Sequence, residues 1–383
     1  MKGIITSVML AFILFACKKN DLTVKQSAEA AIASDALAAD FQPQVKVLNS
    51  HLNYPWEILW GPDNFIWFTE REGRVNRLNP ATGEVTLVAT IPDVATTTDF
   101  NGLLGMVLHP QFDTNPYVYV VYNYFAPSDT MLEKVVRFTY DGTTLISPVI
   151  LLDSIIGKKN GNYIHNGSRL VISPDMKLFI STADANHRYE LPQNRNRVNG
   201  KILRINLDGS IPADNPFGNA VWASGFRNPQ GLVYATNGKL YNSMHGESTD
   251  DEINIIERAG NYGWPYVQGY VDSAKEKKFD AEHKTIEPIY AWTPTIAPSG
   301  LDYYNNDAIK RKNSLLLAVL KDEKLLQLQL NESGTAIVSE KDFLVHRFGR
   351  LRDVAISPAG DVYVCTDNGG NNDKIIRISA TAE

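Results

Sequence analysis

The 383-residue sequence holds only two cysteines, Cys17 and Cys365. It has no Cys-x-x-Cys pair, no His-Glu-x-x-His run, no Gly-rich phosphate loop ending in Lys-Ser/Thr and no Gly-x-Gly-x-x-Gly fingerprint. Zinc and nucleotide enzymes are disfavoured by that absence. No block of Lys or Arg stands out, and 37 basic against 43 acidic residues give a formal net charge of −6. Nucleic acid is excluded as a partner, since phosphate binding needs a basic footprint. Long apolar runs are also missing beyond residue 16, and helical periodicity is scarce in the body of the chain.

The one apolar run, residues 4–16, follows a short basic start and is too short to span a bilayer. It ends in Leu14, Phe15, Ala16 and Cys17, a small residue directly before a Cys, which resembles a bacterial lipobox. Residues 1–16 therefore read as a lipoprotein signal peptide. The Ala- and Ser-rich residues 17–44 read as a tether lipidated on Cys17. The expected location is the bacterial envelope, periplasm or outer membrane, with membrane contact through that lipid alone. Lipidation leaves Cys365 unpaired, and its alternating context predicts a buried small apolar side chain.

From residue 45 a turn-and-strand unit recurs. A Pro- or Asn-Gly-centred turn feeds an aromatic-rich alternating strand at 60–68, 109–120, 173–180, 236–242 and 357–364. A second strand type follows at 73–78, 200–205 and 374–378. A unit every 50 to 60 residues points to propeller blades. The expected fold is all-β, a six-bladed β-propeller over residues 45–383, with chemistry on loops around the channel at one face.

Five loop motifs carry candidate chemistry. His165, in Tyr-Ile-His-Asn-Gly-Ser-Arg at 163–169, is a candidate general base, although a loop His alone is more often structural. Asp184, at a strand end in 181–187, is placed to orient such a base. Arg227 and Asn228 precede Pro229 and offer a planar cation and an amide. Gly246, Glu247, Glu252 and Tyr262 lie in a carboxylate- and Gly-rich stretch suited to a hard cation such as Ca²⁺, though not at EF-hand spacing. Arg350 and Arg352 share a face of an extended segment, and with Lys321 they supply cations from separate blades for a small polyanion.

Taken in order, with Asn101 to Gly105, His109-Pro110, residues 200–205, 214–217 and 296–300, these motifs resemble the soluble pyrroloquinoline quinone (PQQ) sugar dehydrogenases. The resemblance spans about residues 45–380. It implies oxidation of the anomeric hydroxyl of an aldose to a lactone, with hydride transfer to PQQ and electrons passed to an external acceptor. In that family pattern His165 is the base, Asp184 tunes it, and Arg227 stands beside the reactive quinone carbonyl. Asn228, Lys321, Arg350 and Arg352 cradle the cofactor carboxylates. Gly246 and Glu247 hold Ca²⁺ through backbone carbonyls, and Glu252 and Tyr262 match a second, structural Ca²⁺ site. Three positions depart from the glucose dehydrogenases: Phe100 replaces Gln, Ile164 replaces Asp and Glu247 replaces Pro. The alternative is a non-redox envelope propeller, a Ca²⁺-dependent lactonase or a glycan-binding module that has lost dehydrogenase activity.

Overall fold

Strands such as Ile66–Glu70, Ser314–Val319 and Val362–Thr366 are buried on both faces and belong to sheets packed against neighbouring sheets. The computed structural model describes residues 43–95, 100–128, 130–157 and 165–380. The signal peptide, Cys17, all but the last two tether residues and Ile164 lie outside the described residues.

In chain order, β1 (Gln44–Leu52) precedes a first blade of β2 (Pro55–Trp60), β3 (Ile66–Glu70), β4 (Arg74–Leu78) and β5 (Val85–Thr90). The second blade is β6 (Leu103–Leu108), β7 (Tyr117–Phe125), β8 (Met131–Tyr140) and β9 (Leu145–Ile156). The third is β10 (Gly167–Ile172), β11 (Lys177–Thr182), β12 (Lys201–Asn206) and β13 (Val221–Ser224). The fourth is β14 (Pro229–Tyr234), β15 (Leu240–Met244), β16 (Asp251–Ile255) and β17 (Tyr290–Trp292). The fifth is β18 (Pro298–Tyr304), β19 (Ser314–Val319), β20 (Lys324–Leu330) and β21 (Ile337–Phe343). The last blade is β22 (Leu351–Ile356), β23 (Val362–Thr366) and β24 (Asp373–Ser379), completed on its outside by β1. That blade joins the two ends of the ring, with Gln44 opposite Ser379 and Val47 opposite Ile376.

Each sheet has four antiparallel strands, and each blade's first strand contacts those of both neighbours around the axis. Six blades are therefore observed, as the repeat predicts. Four of the sequence repeats (60–68, 173–180, 236–242 and 357–364) and the variant at 109–120 are the turns from first to second strand. The fifth blade's turn, 305–313, escaped that pattern because it is longer and has neither Pro nor Gly. Apolar clusters fill the seams between blades. Trp67 and Val75 pack with Met106 and Val120, and Tyr241 and Ile253 with Leu301 and Leu317. Cys365 is a free, fully buried thiol on β23, as expected.

All six first strands carry a register irregularity near their start, at Pro55/Ile58, Leu103/Met106, Gly167/Leu170, Pro229/Gly231, Pro298/Leu301 and Leu351/Asp353. Such bulges re-aim side chains. The third residue of each strand then faces its counterparts near the axis: Glu57, Gly105, Arg169, Gly231, Gly300 and Asp353. Arg169 Nη1 lies 2.6 Å from Glu57 Oε1 and 2.8 Å from Asp353 Oδ2. Glycine at 300 is required by this closure, since a Cβ there would lie 1.7 Å from Asp353 Oδ1. The buried triad ties three inner strands together across the axis.

One feature escaped the strand-based reading. An α-helix, α1 (Ala274–His283), lies between β16 and β17. Ser273 and Glu276 form a capping box, with Glu276 Oε2 accepting the Ser273 N–H at 2.9 Å. The helix buries none of its residues, so no apolar stripe announced it. Among the described residues no helix is long and apolar enough to cross a membrane.

Candidate functional site

Antiparallel pairing of Gly167 with Thr182 puts the residue before β10 and the residue after β11 at one end of the third blade. His165 and Asp184 lie one residue further out on each side, and His165 Nδ1 lies 2.7 Å from Asp184 Oδ1. An ionised carboxylate only accepts hydrogen bonds, so Nδ1 carries the proton and Nε2 is left as the basic nitrogen. Asp184 is fixed in turn. Its Oδ1 accepts the Asn186 N–H at 2.7 Å and its Oδ2 accepts the Trp264 indole N–H at 2.9 Å. His165 is only 8% exposed, yet it lines a cavity of about 300 Å³ at the channel mouth, a size suited to a small ligand.

Six of the other expected residues line the same cavity: Arg227, Asn228, Gly246, Glu247, Arg350 and Arg352. Arg227 donates to the His245 carbonyl at 3.3 Å and lies 5.4 Å over the Trp264 ring. Its Nε is buried without a partner, and burial pulls its pKa down. Asp184, Glu247 and Asp251 nearby offset that only in part. Asn228 Oδ1 accepts the Gly167 N–H at 3.2 Å, which leaves its amide NH₂ for a ligand. Arg352 is buried against Asp367 and donates to Gln230 Oε1 at 2.8 Å, while its Nε has no partner. Arg350 stands 4.0 Å from Asp367 and is half-buried, so its guanidinium is less committed. Lys321 is at the rim, with Nζ donating to the Thr295 carbonyl at 2.6 Å; Thr295 lines the cavity.

The loop after β15 brings Gly246 and Glu247 to the wall. Asp251 secures it, accepting the N–H groups of Gly246 at 2.7 Å, Ile296 at 2.6 Å and Ala297 at 2.7 Å. Glu247 forms a bidentate pair with Arg188, which holds its carboxyl below the ordinary range. Glu252 and Tyr262 are elsewhere. The Glu252 carboxylate accepts from Asn254 and from the Gly269 N–H, each at 2.9 Å, and burial pushes its pKa up to about 8. Tyr262 stacks on Phe226 in the core, its hydroxyl donating to the Ile255 carbonyl at 2.5 Å. Among the described residues no group of three His, Cys, Asp or Glu side chains could hold a metal ion. A second metal at Glu252 and Tyr262 thus rests on the resemblance alone.

Several site residues were not legible in the sequence. His245 lines the cavity with Nε2 unpartnered, and burial, with Arg227, Arg352 and His165 nearby, lowers its pKa to about 3. It is a neutral acceptor in a cavity that also holds Arg227, Arg350 and Arg352. Asp251, Trp264 and Asp367 each steady another site residue. His245, Asp251 and Trp264 lie within the carboxylate- and Gly-rich stretch read as a cation site, whereas Asp367 carried no signal. Phe100, one of the departures, lines the cavity and is 47% exposed, with the Arg71 guanidinium 5.7 Å over its ring.

The fit to a planar polyanion is chemical: guanidinium groups with orphaned buried nitrogens, a free amide and an acid-oriented imidazole surround one cavity. The backbone carbonyls of Gly246 and Glu247 add hard oxygen donors for a divalent cation. The mouth of this six-bladed propeller thus gathers cationic side chains around one cavity beside an acid-oriented imidazole. The chain belongs to the Glucose / Sorbosone dehydrogenase family, whose model matches residues 52–377. It is 34% identical to quinoprotein glucose dehydrogenase B of Acinetobacter calcoaceticus, over 86% of each chain. It is 28% identical to an aldose sugar dehydrogenase of Escherichia coli, over 91% of this chain and 96% of that one. Among solved structures, a PQQ-bound aldose sugar dehydrogenase from Streptomyces coelicolor superposes with a TM-score of 0.74 at 30% identity, covering 88% of this chain and 98% of that one. The apo form of the Escherichia coli aldose sugar dehydrogenase gives a TM-score of 0.79 at 28% identity, covering 89% of this chain and all of that one.

Proposed function

We propose that this protein is a PQQ- and Ca²⁺-dependent aldose dehydrogenase that oxidises the anomeric hydroxyl of a sugar to the lactone and passes electrons to an external acceptor. The observation that carries the reading is His165 held by Asp184 at 2.7 Å in the same cavity as Arg227, whose buried Nε has no partner. Membership of the family and the likeness to a PQQ-bound relative support it.

In this reading Asn228, Lys321, Arg350 and Arg352 hold the cofactor's carboxylates, and the backbone carbonyls of Gly246 and Glu247 hold Ca²⁺. PQQ, when bound, supplies the acceptor for the hydride of the anomeric carbon. The protein supplies the rest. His165 takes the anomeric hydroxyl proton at Nε2, and Asp184 stabilises the imidazolium that forms. Arg227 stabilises negative charge developing beside it. The neutral His245 adds an acceptor without adding positive charge.

We also propose export and lipid anchoring on Cys17, which rests on the residue 1–17 pattern. The anchor would keep a sugar oxidase near the electron acceptors of the envelope.

The test is titration of apo protein with PQQ, with and without Ca²⁺, followed by dye reduction with a panel of aldoses. Reduction that requires both additions supports the reading. Sugar-independent or absent reduction in fully loaded protein overturns it. His165→Ala is expected to take up PQQ normally and to lose at least about 100-fold in kcat, the usual worth of a positioned base. Normal turnover in that variant would remove His165 from the role of base.

A further inference from the structure

A Lys side chain is seldom wholly out of water unless a carboxylate meets it. Lys201, the first residue of β12, is fully buried. Its Nζ donates to three backbone carbonyls, those of Leu191 at 2.7 Å, Pro192 at 2.9 Å and Asn199 at 2.7 Å. All the donors of the ammonium are thereby used. Burial works against the charge and pulls the pKa down to about 7. A Met of similar length would fill the same space with no charge to bury. What the amine adds is a tie across the loop of residues 183–200, which joins β11 to β12.

Asp184 is the second residue of that loop, and the tie reaches it by three routes. Leu191, whose carbonyl Lys201 holds, donates its N–H to the His187 carbonyl at 3.2 Å, and His187 donates to the Asp184 carbonyl at 2.8 Å. From the far end of the loop, Asn199 Nδ2 donates to the Ala183 carbonyl at 3.2 Å, and the Gly200 N–H donates to the same oxygen at 2.9 Å. Gln193, next to Pro192, donates to the Trp264 carbonyl at 2.8 Å, and the Trp264 indole holds Asp184 Oδ2. Asp184 therefore stands among anchors that all run back to one buried ammonium. None of Lys201, Leu191, Pro192 and Asn199 lines the cavity.

We propose that Lys201 is a positioning residue for the general base: its ammonium fixes the loop that aims Asp184, and Asp184 in turn aims His165. The inference rests on the sugar dehydrogenase reading for its effect on turnover, and stands apart from it for the His165–Asp184 hydrogen bond. Without the ammonium three buried carbonyls lose a donor, the loop shifts to find others, and the Asp184 carboxylate moves with it. The groups that line the cavity keep their places, so the loss falls on kcat rather than on KM or PQQ uptake.

The test compares Lys201→Met, and Lys201→Gln, which keeps an amide donor, with Asp184→Asn and with the double variant Lys201→Met/Asp184→Asn. In PQQ- and Ca²⁺-loaded protein with an aldose and a dye acceptor, Lys201→Met is expected to lose about 10- to 100-fold in kcat, the scale of a misplacement of roughly 1 Å. Its KM and its PQQ uptake should stay near those of the natural protein, and Lys201→Gln should lose less. The double variant should lose no more than Asp184→Asn alone, because the two substitutions act through one group. In the apo protein, proton NMR follows the Nδ1 proton of His165, identified by its absence from His165→Ala. That signal should vanish or shift in Lys201→Met while those of the other histidines stay. Should Lys201→Met not fold, Lys201→Gln carries the same comparisons. Unchanged kcat, losses that multiply in the double variant, an unaltered Nδ1 proton, or unfolding of both Lys201 variants overturns the positioning role. If the natural protein oxidises no aldose but the Nδ1 signal depends on Lys201, the dehydrogenase reading fails and the positioning role stands. If the natural protein is active and Lys201→Met keeps both kcat and signal, the positioning role alone fails.

Discussion

Two arginines separated by one residue do different work. Arg352 is buried, faces Asp367 and Gln230, and spends its charge on the protein as much as on a ligand. Arg350 is half-exposed and 4.0 Å from Asp367. Removing Arg352 takes the nearest cation from a buried carboxylate and leaves Arg71 and Arg350 at 4.0 Å, which costs on the order of 3 kcal/mol. Removing Arg350 should cost less than about 1 kcal/mol of stability and remove one charge-assisted bond to an anionic ligand. Arg350→Ala is therefore expected to melt near the natural protein and to need about ten times more PQQ for half-saturation. Arg352→Ala should both melt earlier and bind PQQ poorly. Thermal unfolding of the apo forms and a PQQ titration separate the two. Equal melting points would show that Asp367 does not depend on Arg352.

Between elements, the seam joining the second and third blades contains a carboxyl in an unfavourable place. Glu133 on β8 is buried, and burial raises its pKa from 4.5 to about 8. Ser168 on β10 donates to its Oε2 at 2.7 Å, while Oε1 has no partner. Between about pH 4.5 and 8 the folded protein holds a proton at this group that the unfolded chain releases. Stability contributed here is therefore present at the acid end of that window and declines as pH rises. Glu133→Gln keeps an acceptor for Ser168 and has no charge to bury. Its denaturant-unfolding free energy should fall less between pH 5 and 8 than that of the natural protein, by at least the ~1.4 kcal/mol of one pKa unit. Parallel pH profiles would show that Glu133 does not titrate in this range. The same element scale explains why α1 escaped the sequence reading. Its capping box was present at Ser273 and Glu276, but no apolar periodicity followed it.

For the whole molecule, closure depends on β1. It is the first strand of the body in sequence and the outermost strand of the last blade, pairing with β24 along its length. A chain starting at Asn53 would leave β24 as an open edge and uncover the apolar cluster that includes Leu52, Ile375 and Cys365. At about 2 °C per kcal/mol for a domain of this size, a loss of several kcal/mol lowers Tm by roughly 10 °C or more. That truncated chain is expected to melt early and to self-associate, read by calorimetry and size-exclusion chromatography. An unchanged Tm would mean that the ring is held by its inner strands and seams alone.

Local chemistry determined a good deal. Turns at 60–68, 173–180, 236–242 and 357–364 announce blades because Pro, Asn and Gly fix backbone angles within a few residues. Cys365 read as buried from its own strand. The pairing of His165 with Asp184 was suggested by two strand ends only 19 residues apart. The tertiary structure alone decided the rest. Arg169 meets Asp353 across 184 residues, Trp264 reaches Asp184 across 80, and Arg188 meets Glu247 across 59. No period or spacing encodes those contacts. They exist because ring closure brings loops of different blades to one mouth, and a bulge in each inner strand turns its side chains towards the axis.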